Sequence, residues 1–103
     1  MNKQIKPVEV QRDTTGDWSH PDMPEFDEGD GAAYAAWVES QNIEVKHDWL
    51  EGYDLDHPAY VQYFDKEDGF AAWEPRQPEG DGWFLIAIGD TEDGPCAWFA
   101  RHK

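Results

Sequence analysis

The apolar run Trp83-Phe84-Leu85-Ile86-Ala87-Ile88 constrains this chain more than any other segment. Aromatic and β-branched residues favour extended backbone. Side chains of a strand alternate between two faces, so a run without polar alternation needs cover on both sides. Such a strand belongs in the middle of a sheet. The chain then crosses Gly89–Gly94 and returns as Cys96-Ala97-Trp98-Phe99-Ala100. Asp93-Gly94 between two apolar runs signals a hairpin. Pro95 lacks an N–H and suits the first position of the returning strand. A central antiparallel hairpin is expected.

The rest of the chain must supply the cover. Residues 32–42, AAYAAWVESQN, are alanine-rich and read as a helix. Asp30 is its expected cap and Asn42 its stop. Its apolar face is either Ala33, Trp37 and Ser40 or Tyr34, Trp37 and Val38. Residues 43–50, IEVKHDWL, alternate with period two and read as a strand, followed by a turn at Gly52-Tyr53-Asp54. Val8 and Val10 alternate with Glu9 and Gln11, which reads as a short edge strand. Thr14-Thr15-Gly16-Asp17 is turn chemistry. Residues 13–31 form a long acidic loop: Asp13, Asp17, Asp22, Glu25, Asp27, Glu28 and Asp30 stand there without a basic residue. Trp18, Met23 and Phe26 are positioned to pin that loop to the body.

Residues 65–76, DKEDGFAAWEPR, and 90–101, DTEDGPCAWFAR, share the frame D-x-E-D-G-x-x-A-W-x-x-R. The physical reading is two hairpins with equivalent acidic turns, joined by the Pro/Gly connector 74–82. The first arm is ambiguous. Tyr60, Tyr63 and Phe64 fit a strand or a helical face, and Asp56 as cap with Pro58 in the first turn would start a helix. The fold class is α+β: a single domain over residues 1–103, an antiparallel sheet of about four to five strands with one or two helices packed on it.

Charge bounds the function. Asp and Glu number 23 against 8 Lys and Arg, a net charge of −15. No basic stripe for nucleic acid exists. The chain nevertheless carries 6 Trp, 5 Phe and 4 Tyr, which separates it from disordered acidic tails. No apolar run approaches the ~18 residues of a membrane span. Cys96 is the only cysteine, so neither an intramolecular disulfide nor a thiolate metal cluster is available. It reads as a small buried residue. The opening MNKQIKPVEV has no apolar h-region, and a reducing cytoplasm is the expected setting.

Two segments, PVEVQRDTTGDWSHPDMP (residues 7–24) and WEPRQPEGDGWFLIAIGDTEDGPCAWFAR (residues 73–101), resemble small acidic proteins encoded by tailed phages and prophages of enteric bacteria. The resemblance implies a mobile-element origin and an intracellular bacterial setting. It carries over no functional residues.

Chemistry-bearing patterns are few. Asp65–Gly69 and Asp90–Gly94 place glycine fifth and lack the later acid of a calcium loop. His20, His47, His57 and His102 show no ligand spacing. Ser19 and Ser40 lie outside any nucleophile frame, and no phosphate-binding glycine loop is present. No catalytic residue, metal ligand or cofactor is assigned, and an enzyme is not expected. The remaining reading is an accessory binding protein that engages a basic host protein through carboxylates, in its sharpest form as a nucleic-acid mimic. The candidate contacts are Asp22, Glu25, Asp27, Glu28 and Asp30 in the acidic loop, Asp90, Glu92 and Asp93 at the hairpin tip, and Trp18. Direct nucleic-acid or membrane binding is not expected. The alternatives are an interaction module that uses tryptophan patches, self-association included, and a divalent-cation-binding protein.

Repulsion among 23 acids sets a first expected outcome. Screening acts over ~10 Å at about 0.1 M salt, the separation of neighbouring surface carboxylates. Added NaCl should raise the melting temperature monotonically over about 0–0.3 M at neutral pH. A flat or falling curve would mean that the acids are already dispersed or paired.

Overall fold

The computed structural model describes residues 5–24 and 29–103. Glu25, Phe26, Asp27 and Glu28 therefore lie outside the described residues, as do the first four positions.

The expected hairpin forms the centre. We number strands and helices in chain order: β1 is Trp18–Ser19, α1 Gly31–Gln41, β2 Ile43–Trp49, α2 Pro58–Tyr60, β3 Phe84–Thr91 and β4 Gly94–His102. The sheet is antiparallel in the order β1-β3-β4-β2. The hairpin arms run further than the apolar pattern marks, because Asp90 pairs with Pro95 and Thr91 with Gly94. Only Glu92 and Asp93 remain between them. Gly94 takes φ 99°, which a side chain would resist. Thr91 Oγ1 donates to the Gly94 carbonyl at 2.8 Å and accepts the Asp93 N–H at 3.1 Å.

Both faces of β3 are covered, as its apolar run requires. On one face Ile88, Ala97 and Phe99 pack with Leu50, Ala59, Phe70, Trp73 and Trp83. On the other, Phe84, Ile86 and Ala100 pack with Ile5 and Ile43, and α1 closes over them with Trp37 and Val38. One extra residue on β3, between the pairs Leu85–Phe99 and Ala87–Trp98, shifts the register. This bulge lets Phe84, Ile86 and Ala87 share one face while Leu85 and Ile88 share the other.

α1 ends at Asn42, whose left-handed backbone (φ 54°) returns its N–H to the Glu39 carbonyl. Its inward face is Tyr34, Trp37, Val38 and the buried Gln41, not Ala33 and Ser40. Asp30 stands at the N-cap, but its side chain makes no capping bond; its carbonyl accepts the Tyr34 N–H at 2.9 Å.

Three expectations are corrected. Residues 7–12 form no strand; Val8 and Val10 are 42% and 38% exposed. Arg12 draws the chain off the sheet onto the 70–73 turn instead, and the edge strand forms after the Thr-Thr-Gly-Asp turn, at Trp18–Ser19. Residues 58–65 are helical, so the internal repeat is a coincidence of sequence. Pro58 opens the helix and His57, not Asp56, caps it, with Nδ1 accepting the Ala59 N–H at 3.1 Å. The turn then widens over Val61–Asp65, where Lys66 N–H bonds the Val61 carbonyl. Trp73 and Trp98 are not equivalent: Trp73 is fully buried beyond a turn, while Trp98 is half-buried on β4. Third, Gly69 does not turn a hairpin. It takes φ 75°, and a Cβ there would meet the Thr15 carbonyl oxygen at 2.8 Å.

Arg12 joins these parts. Its Nε donates to the Gly16 carbonyl at 2.8 Å, one terminal nitrogen to Phe70 O at 2.7 Å and the other to Trp73 O. Partial burial lowers its pKa, against the opposing pull of Asp13, Asp17 and Glu74. Removing it takes a donor from three carbonyls, of which Phe70 O still accepts the Trp73 N–H at 3.0 Å. Arg12→Ala should cost about 2–4 kcal/mol in a urea titration. A loss below about 1 kcal/mol would show that water satisfies those carbonyls equally well.

Candidate functional site

The site grows from a turn. Asp13 Oδ1 accepts the backbone N–H groups of Thr15, Gly16 and Asp17 at 2.9–3.0 Å. Those bonds, the Gly16 one foremost, hold its pKa below the usual carboxylate value. Gly16 (φ 117°) lets the loop press against Phe70, Ala71 and Arg12; a Cβ would come within 2.8–2.9 Å of each. The chain then enters β1, with Trp18 opposite Ile88 and Ser19 opposite Ala87. That register carries Asp17 to Gly89, where a Cβ would lie 3.2 Å from the Asp17 carboxylate.

Asp17 accepts the Asp90 N–H, yet its pKa is raised, first by partial burial and then by the nearby charges of Asp13 and Asp90. Asp90 Oδ1 accepts the Tyr63 hydroxyl at 2.7 Å, and burial together with this carboxylate pushes Tyr63 up to about 12. The helical segment sets Tyr63 there by packing Phe64 under the hairpin turn, 3.1 Å from where a Gly94 Cβ would sit. Asp17 thus stands between Asp13 and Asp90 at one end of the β1–β3 edge, with exposed Glu92 and Asp93 just beyond.

A groove of about 410 Å³ opens beside them, lined by Asp13, Asp17, Trp18, Ala87, Gly89 and Trp98 among others. Gly89 and Ala87 leave its floor low. The same acidic loop lines a second groove of about 510 Å³ through Thr15, with Tyr63, Phe70 and Asp90 opposite.

The sequence-derived contacts divide. Asp90, Glu92 and Asp93 belong to this end. Trp18 lines the groove but is half-buried against the core, so it is no free-standing anchor. Asp22 lies elsewhere. His20 N–H bonds the Ile86 carbonyl at 2.8 Å, so the chain has by then run along β3 away from the tip. From Ile86 to Glu92 that separation is ~20 Å of strand. Asp30 heads α1, whose first turn brings Tyr34 near Cys96. Glu25, Asp27 and Glu28 are among the undescribed positions. Asp13 and Asp17 were missing from the sequence-derived set. The turn residues around them were a legible signal, but their approach to Asp90 depends on the β1 register.

Other polar groups are occupied. His20 is buried, its Nδ1 accepting the Asp22 N–H at 3.0 Å and its Nε2 at 2.5 Å from the Lys6 carbonyl. Both ring nitrogens are thereby used. Burial pushes the Cys96 thiol up to about 12, a value that leaves it unreactive. Among the described residues, no group of three His, Cys, Asp or Glu converges as metal ligands, and no helix is long and apolar enough to cross a membrane. Comparison with protein-family models, curated proteins and solved structures finds no match.

The raised Asp17 pKa fixes a sign. A carboxylate held above its unfolded value favours the fold only while protonated, and that advantage is lost as pH rises through the folded pKa. Asp17→Asn should therefore raise the melting temperature at pH 7 by about 1–3 °C, the scale of a screened surface charge. The gain should vanish below the unfolded value of 3.8. Differential scanning calorimetry at pH 7 and pH 3.5 checks it. A loss of stability at pH 7 would mean that the Asp90 N–H bond outweighs the repulsion.

Proposed function

We propose that this chain is a non-catalytic accessory binding protein that engages a basic protein partner through the carboxylates of Asp13, Asp17 and Asp90, with Glu92 and Asp93 at the rim. The observation that carries the reading is the crowding itself. Asp17 is held beside the like charges of Asp13 and Asp90, and the guanidinium next to it, Arg12, directs its hydrogen bonds to three carbonyls. A cationic side chain arriving at this edge relieves repulsion that the folded chain retains. The adjacent groove gives it a low floor and the Trp98 ring as a wall, a surface suited to a guanidinium or ammonium group. The nucleic-acid-mimic form of this reading requires in addition that the partner's basic surface be one that binds nucleic acid.

A deca-arginine peptide is a suitable first probe, followed by tryptophan fluorescence. Asp17→Asn/Asp90→Asn should weaken binding roughly 3–10-fold at low salt and flatten the salt dependence. Asp22→Asn/Asp81→Asn, an equal change in net charge away from the tip, since Gly80 and Gly82 set Asp81 beside Arg101 at the far end of β4, should move the affinity by less than about twofold. Equal losses in the two pairs would reduce the interaction to net charge and overturn the site. A lysate partner without a basic nucleic-acid-binding surface would remove the mimic form and leave the acidic site standing.

A further inference from the structure

The two edges of the sheet are finished differently. On one side the edge is β1, a two-residue strand flanked by acids. On the other it is β2, seven residues long, and among the described residues no backbone bond reaches its outer side. A groove of about 560 Å³ runs beside it, between Lys46–Trp49 and the Arg76–Glu79 segment. An open edge of this length is a template for another strand.

We propose that β2 pairs antiparallel, across a two-fold axis, with β2 of a second copy of this chain. Charge complementarity selects the occupant and the register. With His47 at the axis, Lys46 stands opposite the second copy's Asp48, and Asp48 opposite its Lys46. The same register sets Val45 against the second copy's Trp49 on the other face, again twice. Trp49 is 39% exposed, a large apolar ring at the end of an open strand. Centring the axis on Lys46 instead would oppose Lys46 to its own copy and Glu44 to Asp48, both like-charged pairs, which destabilise a ladder.

The electrostatics permit this approach at few other places. Two bodies of net charge −15 repel. Along β2 the balance is close to even: Arg101 Nε bonds Glu44 Oε2 at 2.9 Å, Lys46 is itself cationic, and Arg76 stacks on Tyr53 beside Asp48. Asp48 Oδ2 accepts the Tyr53 hydroxyl at 2.5 Å and the Arg76 N–H at 2.8 Å, so the carboxylate is held in place. Its other oxygen is left for the incoming lysine. Pairing makes one continuous eight-stranded sheet from two four-stranded ones.

Sedimentation equilibrium tests it on the full chain at about 0.2 mM in about 0.3 M NaCl, where long-range repulsion is screened. The wild type should approach twice its 11.9 kDa mass, and dilution into low salt should dissociate it. Lys46→Glu should weaken association at least tenfold. Lys66→Glu makes the same charge change beyond the helical segment and should leave it within about twofold. Lys46 also lies 5.6 Å from the Trp83 ring. If Lys46→Glu alters the far-ultraviolet circular dichroism, Trp49→Thr at the exposed end of β2 decides instead, with the same tenfold loss expected. A wild-type monomer under these conditions overturns the proposal. So does a dimer equally affected by Lys46→Glu and Lys66→Glu, and so does a monomer whose β2 edge accepts a strand only from a different protein.

Discussion

The placement of the acidic site depends on one guanidinium. In a chain with 23 acids, Arg12 would be expected to pair with carboxylates. It instead binds the carbonyls of Gly16, Phe70 and Trp73. The choice is physical. The last turn before the connector gives the Phe70 carbonyl the Trp73 N–H and leaves the Trp73 carbonyl outside any helix or ladder, and a buried carbonyl needs a donor. Arg12 is planar and fork-shaped, so it serves several acceptors at once. In doing so it fastens the 13–17 loop to the layer beneath the sheet. The Phe70 N–H returns the contact by bonding the Thr15 carbonyl at 2.8 Å. Asp13 and Asp17 are thereby held beside Asp90 despite their charges.

The second constraint is the two-sided burial of β3. A strand buried on both faces needs two lids, and among the described residues one helix is long enough to be a good one. α1 covers the face of Phe84 and Ile86. The other face is closed by an irregular segment, residues 50–83, built from short turns and large rings. Tyr53 meets Trp73 edge-on at 5.9 Å, and Tyr63 meets Phe70 at 6.2 Å. Aromatic rings suit this work because a few of them bury the area of many aliphatics without requiring regular backbone. The tryptophan content is thus explained mainly by packing: Trp73 and Trp83 are buried, and Trp18, Trp37 and Trp98 are half-buried. The tryptophan-patch alternative retains Trp49 as its exposed ring.

What could be read from the sequence follows from the range of the interactions involved. The β3–β4 hairpin, α1 and β2 are specified by neighbouring residues: an apolar run, an alanine-rich helical stripe, a period of two. Their reading needed no partner. The edge strand did not behave this way. Val8 and Val10 have the right pattern, but Trp18–Ser19 has the right neighbour, and a two-residue strand carries no pattern to read. Residues 58–65 were undecided for the same reason in reverse, since the aromatics suit either period. His57 and Pro58 settled it locally, one residue later than the expected cap. The acidic site was half legible. Asp90, Glu92 and Asp93 fall at the tip of a hairpin that the sequence specifies, whereas their union with Asp17 rests on a contact over some 70 residues of chain.

Charge distribution, more than its total, separates the uses of this surface. A uniformly solvating shell would space its acids to minimise repulsion. Here Asp13 is tied to three backbone N–H groups, Asp17 accepts one from Asp90, and Asp90 is bonded by Tyr63. Each bond fixes a carboxylate where its neighbours disfavour it, so the cluster is built and not merely accumulated. The opposite edge shows the converse. Glu44 pairs with Arg101, Asp48 accepts the Arg76 backbone N–H beside the guanidinium that stacks on Tyr53, and the strand carries Lys46 and an exposed tryptophan. Under the two proposals salt acts on the two edges with opposite sign: it weakens attraction between the acidic end and a cation, and it lowers the repulsion between two copies. A surface designed only for solubility has no reason to divide its charge in this way. The two proposals, a cationic partner at one edge and a second copy at the other, account for that division.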